Sequence, residues 1–269
     1  MRTWRRRRLP AALVVLLLAA SCAPHVVRPP DLLREPRAAR YLTGLIEREQ
    51  RGVAVEAQVV VWAELGADRE LPGAQARLVL GGPDAFRLRV SSLFGTALDV
   101  SGRGDSLTAY VPARRAGMTI DAAGESLGVR APGGLVFRAL GATWRPGEAA
   151  WRESVWNDTL LHVRWLEMED SLAMTIGSNG LPVTASLRRP DGKGVEIHYR
   201  NWDRSSGIAW PSLVELEDRA QTVRVTCKVQ SLKFAAAPDR GRLTARLPEG
   251  TTRVTLSEVR AALRRLGEF

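Results

Sequence analysis

The feature that most restricts the fold is a period of two that recurs along most of the chain. Val55, Ala57, Val59 and Val61 alternate with Ala54, Glu56, Gln58 and Val60. Ala76, Leu78 and Leu80 follow, then Phe86, Leu88 and Val90 interleaved with Arg87 and Arg89. Leu98 and Val100, Leu107 to Val111, and Met118 with Ile120 extend the pattern, with Pro72-Gly73, Gly81 to Asp84, Gly102 to Asp105 and Pro112 as turns. Similar runs resume at 150–156, 160–168, 172–176, 183–189, 195–199, 212–216 and 223–234, with strong hairpin signals at Asn179-Gly180 and Asp191-Gly192. Strands never alternate regularly with helices, so a parallel sheet is not expected. Roughly a dozen antiparallel strands cannot stay flat, because strand twist accumulates. The expected fold is mainly β: a strongly curled antiparallel sheet, an incomplete β-barrel, covered by short helices.

Two segments leave the period of two. Glu35 to Gln50 reads as a helix, with Pro36 in the first turn, Ala38, Leu42, Leu45 and Ile46 on one face, and Gly52 at the stop. Pro132 to Gly141 is a short, apolar helix that should bury itself against a sheet. These are the expected lids over a concave apolar face. Alternation assigns Val59, Val61, Leu78, Leu80, Leu88, Leu98, Val100 and Leu107 to that face, with Leu135, Phe137 and Leu140 on the lid. A slip of one residue would invert any strand.

The N-terminus sets the compartment. Arg2 and Arg5 to Arg8 precede an uncharged run, Leu9 to Ser21, which is the layout of a secretory signal. The run is shorter than the ~20 residues a spanning helix needs. Leu18-Ala19-Ala20-Ser21-Cys22 resembles the bacterial lipobox, with Ala19 where leucine is usual. That resemblance implies cleavage before Cys22 and acylation of its thiol. The expected organisation is a signal at 1–21, a proline-rich tether at 22–34, one half-barrel domain at 35–236 and an extension at 237–269 with a short helix at 257–266. Loss of the five signal arginines lowers the net charge from +10 to +5. A mildly basic surface suits anionic head groups. It lacks the clustered basic and aromatic patch of a nucleic-acid binder. With Cys22 acylated, Cys227 has no partner and stability must come from an apolar core.

Catalytic motifs are weak. Gly124 to Gly128 (GESLG) matches a nucleophile elbow around Ser126, but Val129 to Pro132 follows instead of the helix that elbow requires. His162 and His198 lie in strands without metal-ligand spacing, and Arg103 to Ser106 (RGDS) reads as a turn. Glu167, Glu169 and Asp170 read as a solvated strand end, and Cys227 as a core thiol. Trp144, Trp151, Trp156 and Trp165 suit either core packing or a lipid cavity. Neither enzymatic activity nor a cofactor nor a metal is expected.

One stretch fits no strand pattern. In Phe86 to Val100 (FRLRVSSLFGTALDV), Leu93 and Phe94 occupy an apparent turn before Gly95, where folding inward against the core is the plain expectation. This stretch, with Leu135 to Gly141 and with Gly194 to Phe234, resembles the outer-membrane lipoprotein receptor LolB and its LolA-like relatives. Phe86-Arg87-Leu88 and Gly95-Thr96 match the family's aromatic-Arg-Leu strand and loop; Val195, Tyr199, Trp202-Asp203, Pro211 and Leu216 to Asp218 match its later strands. The resemblance implies a helix-closed half-barrel whose apolar cavity holds acyl chains of lipoproteins or lipids. It implies a periplasmic carrier as partner and a protruding loop, here Val90, Leu93 and Phe94, that touches membrane or cargo. It also implies an outer-membrane address, since Ala23 rather than aspartate follows Cys22. Ser92-Leu93-Phe94-Gly95 departs from the family's Asn-Pro-Leu-Gly by losing a proline and gaining an aromatic ring. The alternative is a structural envelope lipoprotein with a solid core; a Ser126 hydrolase is a remote third.

Overall fold

The computed structural model describes residues 36–51, 54–66, 69–82, 84–121, 132–145, 153–157, 159–167, 169–218, 223–235 and 240–258. The expected signal and tether, with Cys22, Gly52 and Ser126, lie outside them, as do Trp151 and the side chain of Trp156. Helix α1 spans Pro36–Arg51. Six strands follow: β1 (Ala54–Leu65), β2 (Arg69–Gly81), β3 (Ala85–Ser92), β4 (Gly95–Arg103), β5 (Ser106–Val111) and β6 (Ala116–Asp121). Helix α2 (Pro132–Gly141) leads to β7 (Glu153–Asn157), β8 (Leu160–Glu167), β9 (Asp170–Ile176), β10 (Pro182–Arg188), β11 (Gly194–Asp203), β12 (Trp210–Asp218) and β13 (Val223–Phe234). A two-residue β14 (Thr252–Arg253) comes last.

All fourteen strands form one sheet in the order β14-β6-β5-β4-β3-β2-β1-β13-β12-β11-β10-β9-β8-β7. It is open, with β14 and β7 at its edges. Every ladder is antiparallel except β14 with β6. Two hairpin meanders are therefore joined by one non-local ladder, β1 with β13.

The sheet must curl, because α2 touches β3, β4 and β5 on one side and β12 on the other. From β5 to β12 a flat sheet would measure about 29 Å at ~4.8 Å per strand. A ten-residue helix is about 15 Å long. Bulges at Gln58/Val59, Val61/Ala63 and Val90/Ser91 add local bend.

Helix α1 fills one half of the hollow. Ala38, Tyr41 and Leu45 pack against Leu161, Val163, Trp165, Met174 and Ile197 of the second meander. The buried stripe also includes Arg48, whereas Ile46 is 43 % exposed. This corrects the expected face, which placed Ile46 inward. The Arg48 guanidinium is held between rings, 5.9 Å from the Tyr41 centroid and 5.4 Å from that of Trp202. The stacking lets a cation occupy a core position.

The convex face is also covered in part. Arg87 points outward as expected, but it is buried beneath residues 241–245. Its guanidinium grips Asp99 in bidentate fashion, at 2.9 and 2.6 Å. Its Nη1 donates to the Gly241 and Arg242 carbonyls at 3.4 and 3.3 Å. The Ala245 amide donates to Ser101 Oγ at 2.9 Å, and the Thr252 and Val254 amides donate to the Arg115 and Gly117 carbonyls. The extension is thus laid across the outside of β3 to β6. Residues 256–258 begin a helical turn where one was expected; the remainder lies outside the described residues.

Gly102 marks a point of close packing in the first meander. A Cβ there would lie 2.4 Å from Phe86 Cε1, so the missing side chain leaves room for the ring over β4. Gly102→Val should therefore destabilise the fold by about 1–3 kcal/mol, the usual cost of overpacking. Urea unfolding with an unchanged slope and a lowered midpoint would show it; an unchanged midpoint would contradict this packing.

Candidate functional site

The inner face of the first meander is built row by row from strand register. Val55, Leu80, Phe86, Gly102, Leu107 and Ile120 pair successively from β1 to β6. Ala57, Leu78, Leu88, Val100, Ala109 and Met118 form the next row, and Val59, Ala76, Val90 and Leu98 a third. On the other side β13 continues them with Phe234, Leu232 and Val229. Every strand residue assigned to the concave face thus lies on it.

Burial falls along this face. Val59, Leu78 and Leu80 are buried, and Phe137 of α2 is buried over them. Val61, Leu88, Val100, Leu107 and Leu140 are only partly covered. Leu98 is half-buried and belongs to neither packed cluster. Leu135 packs on the α1 side instead. The lid therefore divides its apolar residues between both halves of the hollow.

Helix α2 is held on its C-terminal side by polar contacts. Arg138 donates to both Glu167 oxygens at 3.0 and 2.9 Å, so Glu167, a half-exposed strand end as expected, also ties the lid to β8. Beyond the helix, the Trp144 carbonyl accepts from the Tyr41 hydroxyl, and Trp144 Nε1 donates to the Tyr199 hydroxyl at 2.7 Å. Burial pushes both tyrosine hydroxyls above the ordinary phenol range. Neutral phenols suit this dry seam between α1, the lid and β11. Trp144 and Trp165 are core residues of that seam. Sequence periodicity missed Tyr41, Tyr199 and Glu167 as lid supports; the only signal was their polar atoms on apolar strands or helices.

Among the described residues, the β3–β4 turn is the most exposed apolar point. Leu93 is 98 % and Phe94 99 % exposed, which rejects inward folding. Ser92 pairs with Gly95, so the two residues form the entire tip. Ser92 Oγ bridges it, donating to the Gly95 carbonyl at 3.1 Å and accepting from the Phe94 amide at 3.3 Å. Gly95 has φ +111°, which a side chain would resist. Val90 is no part of this tip: it is a strand residue on the inner face, opposite Ala76 and Leu98. The strand directions put the tip at one rim of the sheet with the ends of β1–β2, β8–β9 and β12–β13. Leu71, Leu166 and Val223, the other large apolar residues exposed near turns of that rim, lie there too.

The remaining candidates do not assemble. His162 Nδ1 lies 3.0 Å from Thr175 Oγ1, and His198 lies 3.5 Å from Glu196. No group of three or more metal-ligating side chains occurs among the described residues. No helix there is long and apolar enough to cross a membrane. Cys227 sits on the inner face opposite Val61 and Val214, and burial pushes its thiol up to about 12.

No family model matches the chain, and no curated protein matches it by sequence. Solved structures do match in shape. A LolA superfamily protein of Nitrosomonas europaea aligns over 76 % of this chain and 97 % of its own, with TM-score 0.54 and 13 % identity. A Vibrio parahaemolyticus domain assigned to outer membrane lipoprotein sorting aligns over 76 % and 94 %, with TM-score 0.51 and 10 % identity. The fold is therefore LolA-like; nothing in these matches singles out the LolB branch.

With its thiol kept protonated by burial, Cys227 should resist aromatic disulfide reagents at pH 8 in a folded chain beginning at Ala23. One thiol per chain should appear on denaturation. Rapid labelling of the folded protein would contradict the packed inner face.

Proposed function

We propose that the chain is an envelope lipoprotein that receives or passes on acylated cargo, either lipoproteins or lipids. It is anchored through acylated Cys22, faces the periplasm from the outer membrane, and acts without catalysis. The observation that carries this reading is the bare Leu93-Phe94 tip at the rim of a curled apolar face. Exposing two large apolar side chains forgoes about 1.5–3 kcal/mol each of burial energy. A water-facing turn gains nothing from them, whereas a turn that enters a lipid surface or grips an acyl chain recovers it. Cargo would enter along Val61, Leu88, Leu98, Val100 and Leu107, where coverage is incomplete. Each buried CH₂ would contribute about 0.8 kcal/mol. Rocking of α2 about its Arg138–Glu167 clasp would widen the entry.

The second reading, a structural lipoprotein, is favoured by one observation: α1, Trp144 and Trp165 fill the other half of the hollow with side chains. Solvent extraction of protein purified from membranes separates the two. The carrier reading expects acyl lipid in excess of the Cys22 anchor, in a fixed ratio to protein. Folded protein yielding only its anchor would leave the structural reading standing.

The tip gives a second test. Leu93→Glu with Phe94→Glu should lower cargo delivery to liposomes at least tenfold. It should leave the unfolding midpoint unchanged, because neither side chain is covered in the folded state. Undiminished delivery would remove the tip from the mechanism.

A further inference from the structure

The outer side of the same hairpin carries a group of arginines that neither the half-barrel nor the apolar tip requires. A 220 Å³ depression there is lined by Arg77, Val79, Arg87, Arg89, Gly241 and Arg242. Four guanidiniums face two carboxylates. Glu56 is shared by Arg77 at 2.6 Å and Arg242 at 2.8 Å. Asp99 is held by Arg87 at 2.6 Å and approached by Arg89 at 3.4 Å. The net excess is two positive charges, and three of the four arginines lie outermost: the side chains of Arg77, Arg89 and Arg242 are 49 %, 51 % and 59 % exposed.

The position of these arginines relative to the tip gives them a use. Arg77 pairs with Arg89 across β2 and β3, so both stand at one height, four residues from Leu93. Four residues of strand measure about 13 Å. A tilt of about 40°, usual for strands of curled sheets, brings this to about 10 Å. Apolar elements that enter a membrane surface sink about 5–10 Å into the boundary between head groups and acyl chains. With Leu93 and Phe94 at that depth, Arg77 and Arg89 reach the lipid phosphates. The neighbouring β5–β6 turn adds exposed Arg114 and Arg115 at the same rim.

We propose that the depression between Arg77, Arg89 and Arg242 is a phosphate site for an anionic lipid headgroup, and that it orients the β3–β4 tip on the membrane. It rests on the reading of the tip as a membrane contact and adds which membrane the tip selects. The tip supplies depth, and the arginines supply preference for anionic lipid and fix which side of the hairpin lies down. Guanidiniums suit this task because they present paired N–H donors to phosphate oxygens.

The test uses the chain from Ala23 on, which keeps every described residue but has no lipid anchor, and measures sedimentation with vesicles of phosphatidylcholine or of phosphatidylcholine with phosphatidylglycerol. Wild type should bind the anionic vesicles at least tenfold more strongly, and the increment should shrink as salt rises. Arg77→Gln with Arg89→Gln should remove most of that increment, roughly fivefold per arginine, while binding to neutral vesicles is unchanged. The fold should survive, since Glu56 keeps Arg242 and Asp99 keeps Arg87. Leu93→Ser with Phe94→Ser should weaken binding to both vesicles; if it weakens neither, the tip reading fails. An anionic increment that persists in the arginine variant overturns the headgroup site alone. Loss of the increment in inorganic phosphate, but not in chloride of equal ionic strength, would make it a soluble-ion site and also overturn the proposal.

Discussion

The architecture depends on one connectivity constraint. β6 and β7 are consecutive strands at opposite ends of the sheet order, apart from the short β14. The chain between them has to cross the sheet, and α2 is the described part of that crossing. Because α2 is apolar, the crossing runs over the concave side, where it touches β3 to β5 and β12 together. The crossing element and the lid are thus the same piece of chain. Curl, lid and the graded cover over the first meander all follow from this arrangement.

Much of this was legible from the alternation of residue types. Phe86, Leu88 and Val90 against Arg87 and Arg89 gave both strand and facing correctly, as did Val195, Ile197 and Tyr199 later on. Alternation names the faces of a strand but not its partner, so the β1–β13 ladder carried no sequence signal. Helical periodicity placed Ala38, Leu42 and Leu45 correctly at α1 but misplaced Ile46 and missed the rest of the stripe. It counts apolar residues, and the buried stripe there is completed by Tyr41 and Arg48, whose burial depends on Trp144 and Trp202 far along the chain. The exposed tip was visible as an anomaly in the sequence, and only the fold decides between inward packing and protrusion.

Covering the convex face was also unreadable. Residues 241–254 use backbone groups to meet Arg87, Ser101, Arg115 and Gly117. Gly117 is bare where Leu247 and Thr251 lie against it, since a Cβ there would be 2.6 Å from Leu247 Cδ2. Backbone contacts leave little trace in residue type. A buried Arg87–Asp99 pair beneath them holds β3 and β4 in register from the outside while Phe86 over Gly102 does so from the inside. The hairpin that bears the tip is therefore braced on both faces, and its turn can remain bare without the strands fraying.

The β1–β13 ladder has a consequence for how the molecule comes into being. Glu64 and Arg224, which meet across that ladder, are 160 residues apart. Contacts of such separation are slow to form, because the ordering cost of the loop precedes the gain from pairing. A chain delivered from its N-terminus presents β1 long before β13 arrives, so β1 waits with one flank unpaired. By then β1 to β6 and β7 to β12 have both been delivered, and only the strand that joins them is missing. Joining of the two meanders therefore awaits the last long strand, and β1 and β12 each keep one flank unpaired until it arrives.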